Sequence, residues 1–219
     1  MGRRDVAWTF AGAILIAAVL GGGCSDAPPS PDDPKGWVAV LRRSDVYGQR
    51  RAIEALARIG DPAVPGLRDA LGDPRLDTRL AAVRTLARLG HAAGPALGVA
   101  LRDGDPVVRS EACDALVAIG PASAGEVRGA LDAPNHAMRE SAVRCAGRLG
   151  DPGAVVLPGA LVDGDGRVRD RAIEAAIAIG PAALPALEEA RTKVPETERS
   201  DVERAIAEIR GRDGSKPAA

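Results

Sequence analysis

The chain has 219 residues, 46% of them hydrophobic and 27% charged, with a formal net charge of −1. That suffices for one sizeable folded unit, and a near-neutral chain with only 2% aromatic residues lacks the basic excess and stacking rings of a nucleic-acid binder. Two of the aromatics, Trp8 and Phe10, stand at the extreme N-terminus, so the core of the body must be aliphatic.

The chain opens with MGRRDVAWTFAGAILIAAVLGGGC: basic Arg3 and Arg4, an apolar stretch from Val6 to Leu20, then small residues. This is the layout of a secretory signal peptide over residues 1–23, to be set aside in reasoning about the fold. Gly-Gly-Gly-Cys24 resembles the lipobox of bacterial lipoproteins, which implies that Cys24 is lipidated and becomes the mature N-terminus. It departs from that pattern in having Gly21 where Leu is customary, with Leu20 one position earlier. Two other readings stay open. Val6 to Gly23 is about the minimum length for an uncleaved membrane-spanning anchor, and a plain secreted product fits the same layout. Asp5 and Val6 match a twin-arginine signal poorly. Each reading puts the body outside the cytoplasm, and Ser25 favours the outer membrane if the enteric sorting rule applies. Residues 24–35 contain SDAPPSPDDPK, too poor in apolar side chains to fold, and read as a disordered tether.

From residue 36 to 211 one unit recurs every thirty residues. Gly60, Gly90, Gly120, Gly150 and Gly180 mark the period, each preceded by Ile or Leu. Ala52, Leu56 and Ile59, with their equivalents in later copies, are spaced by four and three and make one apolar helical stripe. Each glycine falls where a helix C-terminus wants a left-handed residue. Pro62, Pro121, Pro152 and Pro181 follow where the next helix begins. That shorter helix carries Leu67, Leu97, Val127, Leu157 and Leu187, with Leu71, Leu101, Leu131 and Leu161 four later; Trp37 and Leu41 extend both columns to the first copy. Asp105, Asn135 and Asp165 stand where an N-cap is wanted. The unit is helix–turn–helix, present six times, and the fold class is all-α, an α-α superhelix whose pairs share one core by stacking. The last copy, 196–210, has charged exposed columns (Asp201, Arg204, Glu208), as a capping helix requires. Residues 212–219 read as a disordered tail.

DPAVPGLRDAL (61–71), VRDRAIEAAIAIG (168–180) and their copies resemble the HEAT-repeat family, in its short thirty-residue form named for phycobilin-lyase subunits. The resemblance implies a HEAT-type solenoid that presents a surface to another protein. It also implies that an Arg early in each second helix meets an acidic loop residue of a neighbouring repeat. Arg79, Arg109, Arg139, Arg169 and Arg199 hold that column, and Asp105 and Asp165 match the partner; Gln49 stands in the first copy, where such a ladder fails.

In solenoids like the one resembled, second helices line the concave face. The candidate partner-binding residues there are Arg51, Glu54, Arg58, Arg84, Arg88, Asp114, Arg144, Arg148, Arg171, Glu174 and Arg204. The column Glu54, Arg84, Asp114, Arg144, Glu174, Arg204 alternates in sign, which reads either as a chain of inter-repeat ion pairs or as a patterned groove for an acidic protein segment or polymer. Small flanking side chains let second helices approach closely, and Cys145 belongs to that set. Cys113 falls in the apolar column with Ile53 and Val83. The two cysteines occupy different columns, two positions out of register, and no disulfide is expected between them.

No catalytic set, cofactor site or metal site is expected. His91 and His136 lie in different inter-helix turns, and HExxH, GxSxG and P-loop patterns are absent. Asp163, Asp165 and Glu174 have EF-hand-like spacing, but Arg167 replaces the fifth ligand and Val168 the turn glycine; capping explains the same residues. The expectation is a non-enzymatic, exported, lipid-anchored scaffold in a bacterial envelope, with another protein as partner and the membrane reached through Cys24. Its alternatives are an accessory or lyase-like component of an enzyme system, as the family name suggests, and a passive structural lipoprotein.

Overall fold

The computed structural model describes residues 27–43 and 45–212, so the signal peptide, Cys24 and residues 213–219 of the expected C-terminal tail lie outside the described residues. Among the described residues, twelve α-helices alternate between two layers. The first-layer helices are α1 (Pro34–Arg43), α3 (Val64–Ala70), α5 (Gly94–Ala100), α7 (Ala124–Gly129), α9 (Leu157–Ala160) and α11 (Leu184–Lys193). The second-layer helices are longer: α2 (Val46–Ile59), α4 (Leu76–Leu89), α6 (Pro106–Ile119), α8 (His136–Leu149), α10 (Gly166–Ile179) and α12 (Glu196–Arg212). Each second-layer helix packs beside the next, and each also packs on its own first-layer partner. No described helix is long and apolar enough to cross a membrane.

The apolar stripes meet between the layers. Leu56, Leu86, Leu116, Ala146 and Ala176 are wholly buried, as are Leu67, Leu97, Val127, Leu157 and Leu187 opposite them. Burying each leucine contributes about 1.5–3 kcal/mol. The core runs through all six pairs, with Leu131 packed against its N-terminal and C-terminal parts alike. It is closed at the far end by α12, which buries Val202, Ala205, Ile206 and Ile209.

Local chemistry sets the boundaries. Asp45, Asp105, Asn135 and Asp165 cap α2, α6, α8 and α10 by accepting from the N–H groups of Gly48, Val107, Ala137 and Arg167. The repeat glycines have φ between +67° and +83°. Their ψ values lie near −140°, as at Gly180, outside the expected left-handed helical basin and in territory that only glycine occupies without strain. The first-layer segments also differ from the single short helix expected. From α3 onward each begins as a 3₁₀ turn, such as Asp61–Ala63 or Pro181–Ala183, before turning α-helical. Pro65, Pro95, Pro158 and Pro185 stand second in the α-helical part, where a missing N–H prevents an α-ladder from running through.

The arginine ladder exists with a different acid. Arg79 holds Asp103 and Arg139 holds Asp163, through Nε–Oδ2 bonds of 2.8 and 2.7 Å; Arg169 holds Glu198 at 2.5 Å. Asp105 and Asp165, the partners the resemblance implied, are instead N-caps that accept from Val107 and Arg167, and the acid two residues earlier meets the arginine. Arg109 breaks the pattern: the position equivalent to Asp103 and Asp163 is Ala133. Its Nε donates to Ser141 Oγ at 3.0 Å, and Nη1 to the Asp103 and Gly104 carbonyls. At the first junction the Gln49 side chain bonds the Leu41 carbonyl, and Asp73 is left to Arg42 and Arg75 at 4.0 and 3.9 Å.

Cys113 and Cys145 are joined by a disulfide, with Cα atoms 5.6 Å apart, contrary to the expectation from their columns. Counting by thirties assumed that equal columns face each other. At this junction α6 and α8 are staggered by 32 residues, as the Arg109–Ser141 bond one turn earlier also shows. The two-position offset that argued against a bridge is the register that makes it.

Candidate protein-interaction face

The second-layer helices expose the columns that begin at residues 51, 54 and 58, and the candidate residues fall there. Arg51, Glu54, Arg58, Arg84, Arg88, Asp114, Arg144, Arg148, Glu174 and Arg204 are exposed or largely so, with Arg171 half-buried. Their placement follows from the helical period, since the opposite stripe is committed to the core.

The alternating column is not a chain of pairs along its own length. Its members reach sideways instead. Arg50 donates to Glu54 at 3.3 Å, and Arg171 to Glu174 at 2.5 Å. Arg84 crosses to Glu111 of the next repeat with bonds of 2.9 and 2.6 Å, and that hydrogen bond raises its pKa further. Asp114 accepts from Arg148 at 2.6 Å, and Arg204 meets Asp201 at 2.8 Å. Successive column members sit thirty residues apart, whereas the closest cross-helix partners sit 27 or 34 apart, so the stagger between helices selects the flanking columns.

The pairing is asymmetric in charge. Glu54, Glu111, Asp114, Glu174 and Asp201 each have an arginine. Arg51, Arg58, Arg88 and Arg144 have no carboxylate partner among the described residues, and Arg144 reaches only the Ser141 hydroxyl at 3.4 Å. The face therefore carries surplus positive charge although the protein is near neutral.

The EF-hand-like loop is consumed by structure. Asp163 holds Arg139 and the Asp165 N–H, and Asp165 takes the Arg167 backbone and side chain. Hydrogen bonding from the Arg167 guanidinium, with smaller help from the Arg167 N–H and His136, holds the Asp165 pKa at about 2. Elsewhere, a groove of about 570 Å³ between α1 and α3 is lined by Pro34, Val38, Pro62 and Pro65, with Arg42, Arg43 and Asp69 on its rim. Column reasoning missed it because it arises from the gap between two proline-started segments.

The HEAT repeats family matches residues 34–97 and 94–175. The chain belongs to the HEAT-repeat family. Two of the solved structures that share its architecture illustrate the likeness. One, described as "Crescerin uses a TOG domain array to regulate microtubules in the primary cilium", superposes with a TM-score of 0.62 at 17% identity, over 81% of this chain and 90% of that one. The other, the MAST/Orbit N-terminal domain, gives a TM-score of 0.58 at 18% identity, over 83% and 99% of the two chains. At such identities the likeness is one of fold. Among curated proteins nothing matches the sequence.

Proposed function

We propose that this HEAT-repeat protein is an exported, lipid-anchored scaffold of a bacterial envelope, without catalytic activity, that holds an acidic segment of another protein on its second-layer face. HEAT solenoids commonly bind other proteins, and rigid stacked helices give such a face a fixed spacing of charges. The observation that carries the reading is the unequal pairing on that face: its acids are held by arginines, while Arg51, Arg58, Arg88 and Arg144 are left without carboxylates. Export is supported by the N-terminal sequence, with Cys24 as the lipidated residue, and by the Cys113–Cys145 bond, since disulfides persist outside the reducing cytoplasm.

The test is cross-linked co-purification from the native host, beside a variant with Arg58, Arg88 and Arg144 changed to Glu whose helical content is checked by circular dichroism. A protein recovered with the parent and lost with the variant identifies the partner and supports the face. Identical recoveries from both, or none from either, overturn it. In parallel, Cys24→Ser should shift the chain from the membrane to the soluble fraction; a variant that stays in the membrane fraction rules out lipid anchoring.

A further inference from the structure

Two arginines without a carboxylate meet at one serine beneath the face. Arg109 and Arg144 both donate to Ser141 Oγ, at 3.0 and 3.4 Å. Ser141 in turn donates to the Ala137 carbonyl, so its hydroxyl neutralises neither guanidinium. Arg109 is only 8% exposed, and its Nη2, the part of the group that solvent still reaches, makes no hydrogen bond among the described residues. In the equivalent arginines Arg79, Arg139 and Arg169, the Nε and Nη2 edge grips a carboxylate with both nitrogens. At Arg109 the acid that would fill that edge is replaced by Ala133.

The outward neighbour of this buried group is equally short of acid. Arg84 finds Glu111 27 residues on, but 27 residues on from Arg144 stands Arg171, already held by Glu174. Asp114, the nearest column acid on the other side, belongs to Arg148. A buried guanidinium without a counter-charge costs free energy, and an arginine fork matches a carboxylate in two-point geometry.

We infer that Arg144, seated on Ser141 above Arg109, is the point where a carboxylate side chain of the acidic partner docks. This deepens the proposed interaction face and rests on it. Arg144 supplies the accessible fork, and Arg109, held by the third repeat's loop, a second positive charge on the same Ser141 hydroxyl. The partner is thereby assigned an Asp or Glu that docks where the third and fourth second-layer helices meet.

The full chain in mild detergent is titrated at low salt with a fluorescein-labelled octaglutamate peptide, followed by anisotropy. Arg144→Glu should weaken binding by about tenfold or more, while Arg204→Glu at the distant end should change it by less than about twofold. Ala133→Asp, which supplies Arg109 with an internal carboxylate, should weaken it by an intermediate factor. If Arg144→Glu binds like the parent while Arg58→Glu with Arg88→Glu abolishes binding, the seat is overturned and the face survives. If the parent does not bind, or Arg204→Glu weakens binding as much as Arg144→Glu, both are overturned. Acetate at matched ionic strength should compete no better than chloride; competition at equal carboxylate concentration would mean that free anions, not chain-borne acids, occupy the seat, and overturns it.

Discussion

Ala133 is a small residue with a large electrostatic consequence. In the loops at Asp103 and Asp163 the aspartate does two things: it accepts from the N–H two residues on and it receives the ladder arginine. Ala133 does neither, which leaves Arg109 buried against a hydroxyl and two carbonyls. Replacing Ala133 with Asp should therefore stabilise the fold by about 1 kcal/mol, the net worth of a hydrogen bond made partly to a charged group. Chemical denaturation would read this as a higher midpoint at unchanged slope; a lower midpoint would mean that Arg109 cannot turn from Ser141. Asp165 supplies a pH-dependent counterpart. Its pKa is depressed to about 2, chiefly by hydrogen bonding from Arg167, so its contribution is complete above the usual carboxylate range and lost as pH falls toward 2. Asp165→Asn keeps a cap-competent side chain but not the charge. The stability gap between parent and variant should be constant at neutral pH and close between about pH 4 and 2 in acid denaturation curves. A gap that persists to pH 2 would assign the effect to capping geometry alone.

Between elements, the junction of α6 and α8 is tied differently from its neighbours. It lacks the carboxylate that joins Arg79 to Asp103 and Arg139 to Asp163, and it has the Cys113–Cys145 disulfide instead. The bond closes a loop with a sequence separation of 32 residues. Chain-entropy arguments value a loop of that size at about 3–4 kcal/mol. Replacing both cysteines with alanine should lower stability by about that amount, and a reductant should lower the parent's melting temperature while leaving the double variant unmoved. Equal melting with and without reductant would show that the staple contributes nothing. What the sequence revealed here was the column, and what it concealed was the stagger. Leu67, Leu97, Val127, Leu157 and Leu187 were legible as core because burial depends on the period within one helix. Cys113 with Cys145, or Arg84 with Glu111, depends on how far one helix slides past the next. That slide follows from side-chain interlocking across two helices, which a thirty-residue count does not contain. The resemblance, for its part, implied Asp105 where the loop places Asp103 against Arg79. The stagger also hid which arginines of the face are already held by acids, since the pairing depends on the same offsets.

Across the whole molecule, each repeat touches only its neighbours, so stability is set junction by junction rather than by one global core. The ties are uneven. The second and third repeats share Arg79–Asp103 and Arg84–Glu111; the third and fourth share the disulfide and Arg148–Asp114; the fifth and sixth share Arg169–Glu198. The first repeat has Gln49 in place of the ladder arginine and meets its neighbour's Asp73 only through Arg42 at 4.0 Å. Such a repeat should open locally before the rest. Amide hydrogens of α1 and α2 should accordingly exchange with solvent faster than those of α6 and α8 under native conditions. The acid that a ladder arginine would need is already in place, because Asp73 occupies the same loop position as Asp103 and Asp163 and is largely buried. Gln49→Arg should complete the ladder and add about 1 kcal/mol at that junction, which corresponds to roughly fivefold slower exchange in α2. Exchange in α10 and α12, several junctions away, should not change. Slowing along the entire chain would mean instead that the solenoid opens as a single cooperative unit, and that its junctions are not independent.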